Sequence, residues 1–492
     1  MRHALQSVTV AAAAASLLAG IVPAASAAAH PPGGGGSGLP SVLHVGQIDR
    51  QDVPSGNGCE PDTLVEPDVA VSPFNPSIQV AVAHDCRFAS GGALDISYAW
   101  THDGGRHWHH APLPMLTKVV GGAWARASDP VVAFGADGTV FVSALVLGTG
   151  CTTGLTVSRS VNGGATFAPP VVVQKSTRCS YSDDKDWLTI DTQPDSPFYG
   201  RIYEFWTAFL ASGGKAEGSP QVLRWSDDAG RHWSATHVVS APHANSQNSQ
   251  PMIQPDGVIT DVYLEFGGGS AGDGPRSGGP GERGGHPPFA ATGSGVSLVA
   301  RMSSDGGRTW ASQSLVARNI GGGPAGIRCC LPASADDPVT GKLYTVWEGN
   351  GPGKTDPVLL SSSANGRSWS PPRPVSPAGA ATIQHVNAAV AAYGGKVFVS
   401  YGTRNTAVDK GKFVQQQVSS SFDRGASFGP PLSVGPRSNL SYAAVAGGEF
   451  PGDYIGASAT AARLNLVWCL SSKPRNPDAA YHQTLYSAVL RP

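Results

Sequence analysis

Charge is scarce in this chain of 492 residues. Lys, Arg, Asp and Glu together make up 14% of it, and the formal net charge is −1. A nucleic-acid binder needs a basic face to displace counterions from phosphates, so this balance argues against that class. Long apolar runs are missing except near the N-terminus, so no membrane span is expected elsewhere. There is no glycine-rich phosphate loop, no zinc-type Cys/His spacing and no G-x-S-x-G elbow. Nucleotide, structural-zinc and α/β-hydrolase chemistry therefore have no sequence support.

The single apolar run, "VTVAAAAASLLAGIV", follows Arg2 and His3 and precedes "AASA". This is the pattern of a secretory signal, with removal expected near residues 27–29. Residues 1–29 are read as signal peptide, 30–40 as a flexible linker and 41–492 as one domain. Seven cysteines fit the oxidising compartment that export implies, and their odd number leaves at least one thiol free or paired between chains.

Glycine (63) and proline (40) are plentiful, as expected of many short strands joined by turns. One turn sequence recurs. Written S/T-x-D-x-G-x-x-W/F, it begins at Thr101, Ser160, Ser226, Ser303 and Ser421, with a degenerate copy at Ser362 that places Ala364 at the aspartate position. The Ser/Thr and Asp side chains can bond backbone inside the turn, and the glycines allow positive φ. A structural staple is expected, so Asp305 in "SSDGGRTW" is not read as a catalytic acid. Each copy follows an apolar strand pair and an alternating strand, and precedes a short strand. Four strands repeating about every 60 residues are the mark of a β-propeller. The strand pair occurs seven times but only six are followed by the turn. The last unit lacks a fourth strand, and a spare strand, Ser41 to Ile48, precedes the first. The expected fold is all-β: a seven-bladed propeller whose N-terminal strand closes the last blade.

These six turns match the Asp-box, or BNR, motif, and the chain from about Glu66 onward resembles the sialidase superfamily of Asp-box propellers. The resemblance implies a glycan substrate, with ligands bound at the central channel on the face away from the boxes. All seven cysteines fall in segments on that face. Cys59 with Cys86, and Cys151 with Cys179, are the expected pairs, and Cys329 with Cys330 is a vicinal candidate.

Two columns of residues are candidates at the channel. The starts of the inner strands give Glu66, Asp129, Asp186, Gln250, Leu331, Asn387 and Asp453. Carboxylates converging there would raise one another's pKa or recruit Ca²⁺ through oxygen ligands; the alternative is local turn capping. No other cofactor or metal is called for. The ends of the second strands contribute Glu265 and Glu348, candidates for general acid or base work, or else solvated strand ends. Arg126, Arg328 and Arg404 come from different blades and could converge on a carboxylate. Tyr454 is the best-placed tyrosine. Trp124 and Trp187 are either sugar platforms or packing residues. The R-I-P motif of sialidases is absent. A glycine-rich insertion, Gly267 to Gly295, reads as a surface loop.

The leading expectation is a secreted, monomeric, sialidase-like glycoside hydrolase acting on acidic sugars, with Asp129, Asp186, Glu265, Glu348 and Tyr454 as catalytic candidates. The alternatives are a non-catalytic propeller that binds a glycan or protein, and a polysaccharide lyase using His84, His385 or Tyr454 as base.

Overall fold

The computed structural model describes residues 39–55, 58–267, 295–320, 323–349, 357–477 and 479–492. The expected signal peptide, nearly all of the linker and most of the glycine-rich insertion lie outside the described residues. Among the described residues, strands and turns dominate and there is no α-helix. No helix among the described residues is long and apolar enough to cross a membrane.

Hydrogen-bonded pairing builds seven antiparallel units of four strands. Their first strands are Asp68–Val71, Arg126–Phe134, Tyr181–Ile190, Ser246–Ile253, Ala333–Asp336, Ile383–Tyr393 and Gly456–Ala459. The first two units share one residue pair, Ala93 with Ala127. The seventh unit is completed by the N-terminal strand Ser41–Asp49, which pairs with the C-terminal strand Gln483–Arg491 in a register that sets Ser41 against Arg491 and Asp49 against Leu485. Strand character follows position. The second strands are largely buried and mostly apolar, with isolated polar residues such as Asn465 in Leu464–Ser471, whereas Ser41–Asp49 is largely exposed.

The core is divided among the seams between units. Val80 and Val142 lie in the cluster joining the first and second units, and Phe141 and Trp206 in the one joining the second and third. Tyr203 and Ile253 join the third and fourth, Met252 and Trp347 the fourth and fifth, and Tyr344 and Val390 the fifth and sixth. Phe398 and Trp468 join the sixth and seventh, and Val467 and Ala81 the seventh and first. Each unit thus buries both faces of its sheet on neighbours, and the last packs on the first.

The repeated turn clips each unit to the preceding one. Thr101 Oγ1 accepts the Gly105 N–H at 3.2 Å, and Asp103 Oδ1 accepts those of Arg106 and His107 at 3.0 Å. The same bonds recur around Ser226/Asp228, Ser303/Asp305 and Ser421/Asp423, with Asn162 replacing the aspartate beside Ser160. Gly105 and Gly164 have φ of 88° and 87°, and a Cβ there would lie 2.6 Å from Val489 or 2.5 Å from Val80 of the preceding unit. Glycine is required both by the backbone conformation and by the close approach. The copy near Ser362 differs from the sequence reading. It is one residue shorter, Ser363 bonds the Gly366 N–H at 2.8 Å, and Asn365 accepts from Ser368 N at 3.1 Å. Asn365, not Ala364, holds the aspartate position.

Cys59–Cys86, Cys151–Cys179 and Cys329–Cys330 are disulfides, and Cys469 is a buried free thiol.

Candidate functional site

The innermost strands share an irregularity. Pairing skips a residue between Ser128 and Val131, Asp184 and Trp187, Gln247 and Gln250, and Val386 and Ala389. The residue at each skip is left-handed: Asp129 (φ 48°), Lys185 (45°), Asn248 (66°) and Asn387 (50°), with Glu66 (56°) in the same place ahead of Asp68. None is glycine, so each position carries a backbone cost of about 1 kcal/mol or more. All five side chains are buried. In the fifth and seventh units, Cys330 and Gly452 have φ of 136° and 107°.

These residues touch one another across units. The Asn387 N–H donates to Cys330 Sγ at 3.3 Å, and its Nδ2 donates to the Gly452 carbonyl at 3.0 Å. A Cβ on Gly452 would lie 2.8 Å from Glu66 N. Glu66 Oε2 is 3.1 Å from His84 Nε2, which accepts the Asp129 N–H at 2.8 Å. Asn248 Nδ2 bonds the Pro332 carbonyl of the next unit at 2.9 Å. The result is a strained polar collar where the inner strands begin.

The collar corrects the residue column read from sequence. Glu66, Asp129 and Asn387 are in it. Asp186 and Gln250 are not, because the extra residue shifts the register and alternate side chains face opposite ways. Lys185 and Asn248 take their places. Asp186 lies fully buried between the second and third units, where the Ser143 hydroxyl is 2.6 Å from its Oδ2 and 2.5 Å from Glu204 Oε1. Burial, with a smaller contribution from Asp129, pushes Asp186 up to about 7. Gln250 Oε1 accepts the Ser334 N–H at 3.2 Å.

Charge converges on Glu66. Burial first, then Asp129 and Asp453, raises its carboxyl well above the usual range, while Lys185 and Arg328 oppose that rise. Burial also holds His84 down at about 4, so its imidazole is neutral and Nε2 is free to accept. Arg328 grips Asp453 through Nε at 3.3 Å and Nη2 at 2.9 Å. The Lys185 ammonium, buried, lies 3.9 Å from the Tyr454 ring centre and 4.6 Å from that of Trp187, and no hydrogen-bond partner is found for Nζ. The two rings meet edge-on at 6.1 Å. Tyr454 donates to the Pro130 carbonyl at 3.3 Å, and burial, then Asp129 and Glu66, keeps its phenol far from ionising. Glu66, Asp129, Lys185, Arg328, Asp453 and Tyr454 thus come from five units. Lys185 was missed from sequence; the "DDKDW" run held a lysine among acids, but only the bulge shows that it points with Glu66.

The other sequence candidates are engaged elsewhere. Arg126 bonds Ser90 Oγ at 2.8 Å and the Gly91 carbonyl at 3.0 Å, and stacks 3.9 Å over Phe88. Arg404 bonds Gln384 Oε1 and the Ala325 carbonyl, both at 2.9 Å, and is 3.7 Å from Glu449, whose carbonyl accepts the Arg328 N–H. Arg328 and Arg404 therefore share the Glu449 segment, and Arg126 is held by another loop. Glu265 is a partly exposed strand end accepting from Gln313 Nε2 at 2.8 Å. Glu348 is buried, not solvated, and its Oε1 accepts the Ala388 N–H at 2.6 Å, which ties the fifth unit to the bulge of the sixth. Trp124 is buried in the core between the first two units and is no exposed platform.

No known protein-family profile and no curated protein matches the chain. Among solved structures it is similar to an α-L-arabinanase of Penicillium chrysogenum complexed with arabinobiose, at 11% identity over 92% of this chain and 99% of that one, with a TM-score of 0.46. A Hadza microbial sialidase is similar at 11% identity over 92% and 94%, TM-score 0.45. A leech intramolecular trans-sialidase is similar at 11% identity over 81% and 70%, TM-score 0.45.

Proposed function

We propose that the seven units are the blades of a β-propeller and that the chain is a secreted glycan-active protein of the glycoside hydrolase class, working at the collar. The observation that supports this reading is the set of five buried left-handed residues, four of them at strand bulges. Strain repeated at one level of a fold, and filled with Glu, Asp, Lys and Asn, is characteristic of sites where geometry serves chemistry. Glycoside hydrolysis needs one carboxyl that keeps its proton and one that stays ionised. Glu66 is the acid in this scheme, since its surroundings hold the proton on. Asp453, balanced by Arg328, is the carboxylate facing the oxocarbenium-like centre. The neutral His84 holds Glu66 in place, Lys185 acts on it through charge, and the partly exposed Trp187 offers the sugar a flat face.

Each candidate arginine already has a partner, so an acidic sugar would have to displace Asp453 from Arg328. A neutral sugar would not. A fluorogenic panel of α-sialoside, uronide and neutral furanoside and pyranoside substrates separates these cases. Glu66→Gln should abolish turnover while binding persists; a fully active Glu66→Gln variant would remove the acid role. The second reading, a glycan-binding propeller without turnover, is favoured by the near-complete burial of Glu66, Asp129, Lys185 and Tyr454. It predicts glycan retention by wild type with no product on any substrate.

A further inference from the structure

The seam between the seventh and first units has an excess of negative charge. The N-terminal strand Ser41–Asp49 belongs to the seventh unit and lies against the first. At its end Asp49 Oδ1 is 3.3 Å from His110 Nδ1, and Asp52 Oδ1 and Oδ2 are 2.8 and 2.9 Å from the same nitrogen. One donor atom from each of the three residues lies within 4.8 Å of the others. Beside them stands Asp85 of the first unit, fully buried. Its Oδ2 accepts the N–H groups of Asp52 and Val53 at 2.9 and 3.0 Å, and no hydrogen-bond partner is found for Oδ1. Directly across the sheet from Asp85 is Asp95, also buried, with Oδ2 equally unpartnered.

Two carboxyl groups therefore contact one imidazole, with the buried Asp85 and Asp95 as neighbours. A carboxylate taken out of water must be protonated, paired or bound to a metal. We propose that Asp49, Asp52 and His110 are the ligands of a divalent cation site, and that the ion fastens the N-terminal strand to the first unit. Two donor contacts of 2.8–3.3 Å about one nitrogen are near the edge of about 3.3 Å that 2.0 Å bonds give in a tetrahedron. An imidazole nitrogen with carboxylates suits Zn²⁺ or Mn²⁺ better than Ca²⁺, which takes oxygen ligands. The ion would bind only when the strand is docked, so its affinity is linked to closure of the ring.

Asp52 and His110 are partly exposed, so Asp52→Asn and His110→Ala should fold. The full mature chain, stripped with EDTA, is titrated with Zn²⁺ and with Mn²⁺ by calorimetry, and melting is followed in parallel. One equivalent of either ion should bind, raise the melting midpoint and lose about 100-fold in affinity in each variant. No saturable binding would overturn the proposal, leaving protonated carboxyls as the state of the seam. Binding and melting shifts that persist undiminished in both variants would also overturn it, because the ion would then sit elsewhere.

Discussion

Replacing Asp261 by Asn should stabilise the protein more and more as pH rises. Asp261 is fully buried beside the seam between the third and fourth units, where its Oδ1 accepts the Gln250 N–H at 3.0 Å. The Ser249 hydroxyl lies 2.9 Å from Asp261 Oδ2 and 3.0 Å from Gln221 Oε1. A hydroxyl has one proton, so it cannot donate to both oxygens. A protonated Asp261 resolves this by donating to Ser249 while Ser249 donates to Gln221. Burial accordingly pushes Asp261 up to about 8, against the bonds from Ser249 and Gln250. Between the unfolded value of about 3.9 and that folded value, the native state holds a proton that the unfolded chain has released. Stability therefore falls as pH rises through this window, by up to about 1.4 kcal/mol per pH unit. Integrated, the ceiling is about 5–6 kcal/mol, and hydration of the ionised group lowers the expected effect to about 2–4 kcal/mol at pH 8. Asparagine keeps every bond of the neutral acid: its carbonyl faces Gln250 and its amide donates to Ser249. Urea unfolding of wild type and Asp261→Asn at pH 5, 6.5 and 8 should give a difference that widens with pH. A constant difference, or a variant less stable at pH 8, would show that Asp261 is ionised in the fold.

The other predictions are simpler. Gly452→Ala should cost about 2–4 kcal/mol, because φ is 107° and the new Cβ would meet Glu66 N at 2.8 Å; an unchanged melting midpoint would count against the collar contact. Deleting residues up to Asp49 should lower the melting midpoint sharply and expose the strand Gln483–Arg491, which hydrogen-exchange mass spectrometry would detect as faster exchange there. Asp305→Ala removes the acceptor for Thr309 N and Oγ1 at 2.9 and 2.6 Å in a partly exposed turn, so it should cost about 1 kcal/mol and leave ligand binding by the folded protein unchanged. Cys59→Ser should cost about 3 kcal/mol in chemical denaturation through loss of a disulfide closing a 27-residue span, and equal midpoints would refute it.

The parts of this structure that depend on local chemistry could be read from the chain. The repeated turns were visible because each sets its own hydrogen bonds within eight residues. The pairing of Ser41–Asp49 with the C-terminal strand could be inferred because one unit lacked a strand and one strand lacked a unit. The collar could not be read so directly. Five of its positive-φ residues are Glu, Asp, Lys and Asn, only Gly452 announces one by type, and a single inserted residue exchanges Asp186 for Lys185 beside Glu66. The same sensitivity hid Asn365, where the turn is one residue short. Arginine convergence was the least legible feature, since the long side chains of Arg126 and Arg404 settle on whichever loop offers Ser90, Gly91 or Ala325.

The register that sets Ser41 against Arg491 has a consequence for how the molecule is made. Among the described strands, the earliest in sequence waits for the latest. Six units can form as local meanders during synthesis, but the seventh cannot be assembled until Gln483–Arg491 has been made, and among the described strand pairings this most distant one bears the largest loop-closure entropy. Closure is therefore the final folding event. Before it, the free edges of Gln483–Arg491 and Ser41–Asp49 can pair with other chains. A nascent or truncated chain, in which one of these two strands lacks its partner, should be the aggregation-prone species.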